Sequence, residues 1–411
     1  MSEWKDYLKK CTEHRKRLLR AKFHKLRLNI AIIFDSLIVL ASGVIAFLSF
    51  SLSIITILST LIAIISIIKL VYDILKRDAL NTGDLSAKEL PLLSISDIKL
   101  PEGLEYNDHD NCVIIYDSEV NKMLETKINK IQFKKNDFKL NPIVEINAIP
   151  FLKLMSISSK MFNEKKVRLL NDLSHNTIKN EKDVYLQETT YFNYILSNEL
   201  ANKNIIINAK HSFNIRHEVI NENKELISLD ISTLSNHIGG SGLLFTGDRK
   251  IVLMEQGAEN HINPLKLASS GSGSFNYNSD IKKFQDLQTL VKFEVSREIK
   301  EECNISTIDD IQICGFGRAL HRNGKPDFFC IAKTDILFND ISISIKERGY
   351  QLRPIAINIE GAFNRNNTIK ALDSILDRYR DKEIGCYLYW NILFAKEYIK
   401  TRSNRVSSFF S

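Results

Sequence analysis

Four acids and one arginine at helical spacing mark residues 291–305 as the stretch able to do chemistry. Wound at ~3.6 residues per turn, Glu294, Glu298, Glu301 and Glu302 fall within an arc of about 100°. Val291, Val295 and Ile299 recur at i, i+4 and i+8 and form an apolar stripe on another face. Like charges four residues apart repel, so such a row favours a bound cation. Carboxylate oxygens suit hard cations such as Mg²⁺ or Mn²⁺, which keep several waters and bridge to phosphates. Arg297 sits inside the row and can hold one carboxylate in place. Asn304 stands where the helix would end, and Asn tolerates the left-handed conformation of a C-terminal cap. A solvated charged face is the plain alternative.

Two further groups are candidates for holding phosphate. Residues 269–275 read Ser-Ser-Gly-Ser-Gly-Ser-Phe. The backbone amides around Gly271, Ser272 and Gly273 can cradle phosphate oxygens; the alternative is a flexible loop. Arg318, His321, Arg322 and Lys325 gather near the turn Asn323-Gly324. Arginines in such a group bind phosphate well, and a solvated turn is the alternative. Tyr185, Tyr191, Phe192 and Tyr194 offer faces for a base but fit a packed core better. Gly239 and Gly240 precede a strand, so they form neither a P-loop nor a dinucleotide fingerprint. The six cysteines, at 11, 112, 303, 314, 330 and 386, show no Cys-x-x-Cys spacing, and no His-x-x-x-His occurs. That spacing suggests neither a zinc site nor a disulfide framework and fits a reduced compartment.

The elements that would carry these residues follow from pattern. Residues 243–246 and 251–255 flank the turn Gly247-Asp248-Arg249-Lys250 as a hairpin. Residues 311–320 and 328–331 read as strands, and 368–380 and 390–400 as helices that close a domain over 236–400. The stretch 84–235 mixes strands, at Cys112–Tyr116 and 204–207, with a helix at 191–200. It reads as an α+β domain without a motif for chemistry, a candidate sensor.

At 411 residues the chain has room for two or three domains. Its net charge of +7 resides in residues 1–28, which hold ten basic and three acidic residues. The rest is balanced at 46 of each sign, so no DNA partner is expected. Residues 36–68 contain no charge in 33 positions. One helix of that length would reach ~50 Å, against ~30 Å of hydrocarbon. The sequence therefore predicts two spans within 29–76, at 30–49 and 54–74. The basic segment and Lys76-Arg77 put both ends in the cytoplasm, with no cleaved signal peptide. Asp35 and Lys69 would lie at similar depth and pair, within the hairpin or between protomers of a homo-oligomer; pairing of Lys69 with Asp73 is the alternative. The basic segment would set topology or bind anionic membrane lipid.

Arg297-Glu298-Ile299-Lys300-Glu301-Glu302-Cys303-Asn304-Ile305 resembles the core of the Nudix box, Gly-x5-Glu-x7-Arg-Glu-U-x-Glu-Glu-x-Gly-U, where U is a bulky aliphatic residue. Six of nine specified positions match. Asn304 replaces the late Gly, Thr289 the early Glu and Lys283 the early Gly; Glu294, one turn before Glu298, is placed to stand in for the lost Glu. The distance from Gly273 to Arg297 is ten residues longer than the box allows. The resemblance implies that Glu298, Glu301 and Glu302 hold Mg²⁺ or Mn²⁺, that Glu298 and Arg297 are catalytic, and that a downstream acid, Asp327 or Glu360, completes the metal set.

The order of segments, with Ser-Gly-Ser-Gly-Ser before Arg-Glu-Ile-Lys-Glu-Glu, also resembles two-transmembrane Nudix effectors of cyclic-oligonucleotide-based antiphage signalling systems. The fold class expected is α+β: a two-helix transmembrane hairpin, then a cytosolic mixed α/β region ending in a Nudix-like α/β/α sandwich. What the resemblance implies is a hydrolase of nucleoside diphosphate derivatives at the bacterial inner membrane, switched on by a cyclic nucleotide and lethal to the infected cell. The alternative is a catalytically degenerate nucleotide sensor that drives a membrane-disrupting hairpin.

Overall fold

The computed structural model describes residues 85–155, 163–207, 211–257, 265–344, 350–379, 383–401 and 409. The basic segment and both expected spans, with Asp35 and Lys69, lie outside them. Among the described residues no helix is long and apolar enough to cross a membrane. The longest described helix, Leu287–Cys303, has 17 residues and seven charged side chains, and reaches only about 25 Å at ~1.5 Å per residue. The expected fold class is corrected accordingly: the described chain is a mixed α/β fold without a spanning hairpin.

Two compact units divide the described residues. In the smaller, β7 (Lys203–Ile207) lies antiparallel between β1 (Leu85–Glu89) and β8 (His211–Phe213). Helices α2 (Pro142–Ile146) and α3 (Ala148–Leu154) complete it, and buried Phe151 stacks on Phe213 at 5.9 Å.

The larger unit is built on a nine-stranded sheet. Its strands are β2 (Glu105–His109), β3 (Cys112–Tyr116), β9 (Gly239–Phe245), β10 (Lys250–Gln256), β11 (Leu267–Ala268), β12 (Gly271–Ser274), β13 (Asp310–Ala319), β14 (Lys325–Lys333) and β15 (Gln351–Asn358). Their order is β11-β10-β9-β14-β13-β3-β2, with β12 beside β9 and β15 beside β10. Only β9 and β14 pair in parallel. Strands β2 and β3, from the stretch 84–235, thus extend the sheet formed by later strands.

Side chains alternate across the sheet, as strand geometry demands. Phe328, Cys330 and Ala332 join one core with α6 (Leu287–Cys303). Phe329 and Ile331 join another with α7 (Arg365–Arg378) and α8 (Cys386–Thr401). The sheet therefore carries α6 on one face and α7 and α8 on the other. Short helices α1 (Ser118–Met123), α4 (His175–Lys179) and α5 (Tyr191–Tyr194) and a second sheet, β4 (Ile131–Phe133), β6 (Val184–Thr190) and β5 (Lys165–Leu169), complete the unit. Strand β5 is stitched to the segments that flank β9 and β12: Val167 N–H donates to the Phe275 carbonyl at 3.0 Å and its own carbonyl accepts Ile238 N–H at 2.8 Å, the Lys165 carbonyl accepts Tyr277 N–H at 3.0 Å, and Leu169 N–H donates to the Asn236 carbonyl at 3.3 Å.

Helix α6 starts and stops on sequence signals. The Asp286 carboxylate caps it by accepting Thr289 N–H at 2.8 Å, and Asn304 ends it at φ 52 in the left-handed region. The glycine-rich run is not a loop but strand β12, antiparallel to Gly239–Gly242 of β9. Glycine is needed there because the strand lies against the helix backbone. A Cβ on Gly271 would stand 2.5 Å from Ile299 N and Cα, and one on Gly242 would stand 2.6 Å from Ile299 Cδ1. The first obstacle is main chain; the second is a side-chain tip that can rotate. Gly271→Ala should therefore cost about 2 kcal/mol or more and Gly242→Ala distinctly less, read by urea denaturation followed by circular dichroism. Equal losses would refute the claim that helix and strand main chains are in contact.

Candidate active site

Arg297 is the hub of the acidic row. It donates to Glu294 through Nε at 3.2 Å and Nη2 at 2.9 Å, to Glu298 through Nη2 at 2.5 Å and to Glu301 through Nη1 at 3.1 Å. Burial alone would lower the Arg297 guanidinium, but the three carboxylates raise it above its ordinary value. Glu294, one turn before Glu298, takes two of these hydrogen bonds. Thr289 sits in the first turn with its hydroxyl and amide on the Asp286 cap.

The row is also fastened to β12. Glu294 accepts Asn276 N–H at 3.0 Å, and Glu302 accepts Ser272 N–H at 2.7 Å. Eight helical residues and four extended residues both span about 12–13 Å, so helix and strand run side by side in opposite directions. Glu298 lies between these anchors against Gly273, where any Cβ would meet its carboxylate. Burial pushes the Glu298 carboxyl above the usual carboxylate range, with Arg297 and then Lys166 pulling the other way. Glu302 is buried and also accepts from Gln351 Nε2, whereas Glu301 is half exposed.

A cavity of about 240 Å³ opens where β9 exchanges partners. Strand β10 pairs with its Leu244–Phe245 end and β12 with its Gly239–Gly242 end. Ser270 fills the fork, its hydroxyl accepting Leu244 N–H at 2.7 Å and donating to the Val252 carbonyl at 2.5 Å. Ser272, Gly273 and Glu302 line one side of the cavity; Arg322, Lys325, Asp327 and Tyr387 line another. Arg322 is buried and pairs with Glu199 at 2.8 Å while lying 5.0 Å over the Tyr194 ring. Lys325 and Asp327 are a buried ion pair, and Tyr387 OH donates to Asp327 at 3.3 Å. Burial brings the Lys325 ammonium down to about 8, against the pull of Asp327, and raises the Asp327 carboxyl.

The expected residues divide cleanly. Glu302, Ser272, Gly273 and Arg322 line the cavity, and Glu298 abuts it through Gly273. Gly271 is spent on packing against α6. Arg318 is turned away: it donates to the carbonyls of Gly324 at 3.0 Å and Ile227 at 2.9 Å and to Asp172, a structural brace rather than a phosphate ligand. Of the two candidate last acids, Asp327 lines the cavity and Glu360 is not among its lining residues. Tyr194 is buried against His237 at 4.1 Å, in the core and not on offer to a base. The three expected metal ligands are not gathered onto one point. Among the described residues, the one trio of His, Cys or carboxylate donors within 4.8 Å of one another lies elsewhere.

Sequence reasoning missed Gln351, Tyr350 and Tyr387, which come from remote segments with no local signal. Lys325 was expected in a basic cluster at the turn and Asp327 as a downstream acid; the strand begins at Lys325, three residues earlier than expected, and so pairs the two on one face.

No protein-family model matches the chain, and no curated protein matches it. Solved structures similar to it include a MutT protein from Methanosarcina mazei Go1, at 15% identity over 40% of this chain and 96% of that one, with a TM-score of 0.27. A Nudix-family hydrolase from Clostridium perfringens is 13% identical over 41% of this chain and 98% of that one, with a TM-score of 0.24. A bifunctional NMN adenylyltransferase/ADP-ribose pyrophosphatase from Francisella tularensis, complexed with AMP and Mn ion, is 14% identical over 39% of this chain and 42% of that one, also with a TM-score of 0.24. Likeness this distant leaves the chemistry to be argued from the side chains themselves.

Proposed function

We propose that the larger unit hydrolyses a phosphoanhydride in a nucleoside diphosphate derivative, as Nudix enzymes do. The observation that carries this reading is one cavity lined by Glu302, the last acid of the row, together with Arg322, Lys325 and Asp327. Glu298, Glu301 and Glu302 offer the hard oxygen donors that Mg²⁺ or Mn²⁺ takes, and Gly273 leaves the Glu298 carboxylate free of any side chain opposite. When bound, such an ion polarises a phosphoryl oxygen and lowers the pKa of water. Arg297 orients Glu298. The raised pKa of Glu298 suits it to take a proton from attacking water. Water oxygen adds to phosphorus, the anhydride P–O bond breaks, and the leaving phosphate carries off the electron pair. Lys325 and Arg322 hold phosphate oxygens by charge-assisted hydrogen bonds.

A second reading is supported by one observation. Arg297, Ser272 and Gln351 already engage the carboxylates, which suits a domain that binds a nucleotide without turning it over. Activation by a cyclic nucleotide and an antiphage role rest on sequence resemblance alone, in the order of segments and in the Ser-Gly-Ser-Gly-Ser and Arg-Glu-Ile-Lys-Glu-Glu runs. Cyclic nucleotides therefore belong in the assay as additions.

The test is phosphate or nucleotide release by the full chain from a panel of nucleoside diphosphate derivatives, with Mg²⁺ or Mn²⁺ and with or without cyclic nucleotides. Glu302→Gln keeps the shape at Ser272 and should lower turnover at least about a hundredfold. Undiminished turnover in that variant would sink the assignment, and tight binding without turnover by the native chain would favour the second reading. The same cavity predicts a pH dependence. Lys325 loses its charge as pH rises through about 8, so calorimetric affinity for the nucleotide should fall across that point. In Lys325→Arg, whose guanidinium stays charged, the fall should vanish; its persistence would remove Lys325 from the phosphate site.

A further inference from the structure

Three residues that no local spacing connects meet behind the Arg322 and Lys325 side of the cavity. Cys112 opens β3, His321 lies in the turn Leu320–Arg322 that follows β13, and Cys386 opens α8. One donor atom from each, two sulfurs and an imidazole nitrogen, lie within 4.8 Å of one another. Cys386 Sγ and His321 Nε2 are 3.9 Å apart. Both cysteines are thiols and not disulfide partners.

The imidazole is set among the two sulfurs inside a core: His321 Nε2 faces Cys386 Sγ, and the buried Nδ1 has no hydrogen-bond partner among the described residues. Cys386 is 2% exposed and Cys112 packs at the edge of the same apolar core, and within it the imidazole of His321 is the polar group set against Cys386 Sγ. Tetrahedral zinc has Zn–S near 2.3 Å and Zn–N near 2.0 Å, which place its donors roughly 3.5–3.8 Å apart. The three donors would need to close by about 1 Å on this estimate.

We propose that Cys112, His321 and Cys386 form a zinc site, with the fourth position taken by water or by a small ligand. Two thiolates and one imidazole are a donor set that zinc favours and that Mg²⁺ does not. This site is separate from the acidic row and does not depend on the hydrolase reading. Its role is to pin the first residue of α8 and the turn after β13 to β3. Arg322 and Tyr387, which line the cavity, directly follow His321 and Cys386. Zinc would thereby fix the wall that faces the acids.

The test uses the full chain purified without added metal, then loaded with zinc and passed through gel filtration. Elemental analysis should find one equivalent retained, and cobalt in its place should give intense thiolate-to-metal charge-transfer absorption. Cys112→Ser, Cys386→Ser and His321→Gln should each lose both signals. Should a variant not fold, the native chain still decides. Zinc should protect Cys112 and Cys386 from alkylation, mapped by mass spectrometry, and a chelator should expose them together. Zinc retained equally by all three variants, no retention by the native chain, or a Cys112–Cys386 disulfide in the purified protein would each overturn the proposal.

Discussion

One guanidinium makes the rest of the larger unit feasible. Without Arg297, Glu294, Glu298 and Glu301 would place three like charges on successive turns of a helix that packs against a sheet. Burying an unpaired carboxylate costs several kcal/mol, and Glu294, at 1% exposure, has almost no water to turn to. With Arg297 in place, Glu294 can accept a backbone amide from beyond β12, and Glu302, two turns on, can accept another within it. Those two anchors fix the register of strand against helix. The glycines of β12 follow from that register, since a strand held to a helix by its amides leaves no room for side chains in between. The fork in the sheet follows in turn, because β9 can pair with β12 only by leaving β10.

Helix α6 was readable because all its determinants are local: apolar residues at i, i+4 and i+8, an Asn to end it, and acids on one arc. That Arg297 would hold a carboxylate of the row was readable for the same reason. The Ser-Gly-Ser-Gly-Ser run was not, because Gly and Ser favour turns by intrinsic preference and only contact with Ile299 makes them a strand. Arg318 misled because a basic residue beside a turn looks available. Its partners, the carbonyls of Gly324 and Ile227, depend on tertiary folding. Residues 36–68, whose freedom from charge suggested membrane spans, lie outside the described part, and the described helices are too short and too charged to replace them.

Cysteine spacing misled in the opposite direction. Absence of Cys-x-x-Cys argues against compact zinc modules, whose ligands come from one or two turns. It carries no weight for ligands contributed by the start of a strand, a turn and the start of a helix. Cys386 and His321 are 65 residues apart, and Cys112 comes from an earlier stretch that joins the sheet at its far edge. Only the sheet order, with β3 next to β13, brings the three together.

The cavity is built so that each charge has a partner before any ligand arrives. Arg322 has Glu199, Lys325 has Asp327, and Arg297 has three carboxylates. Pairing of this kind removes most of the penalty for holding charge in a dry place. A phosphate entering with a divalent cation brings both signs at once. On the proposed function, a cation would take carboxylate oxygens from Arg297 while a phosphate would take donors from Asp327 and Glu199. Every exchange then replaces one charge-assisted contact by another, and the loss at each residue is offset locally. The arrangement works only if the two walls keep their spacing. The acidic wall is held by main-chain hydrogen bonds along β12. The cationic wall hangs on a turn and the first residue of a helix, which are the weaker supports and the ones that a metal at Cys112, His321 and Cys386 would stiffen.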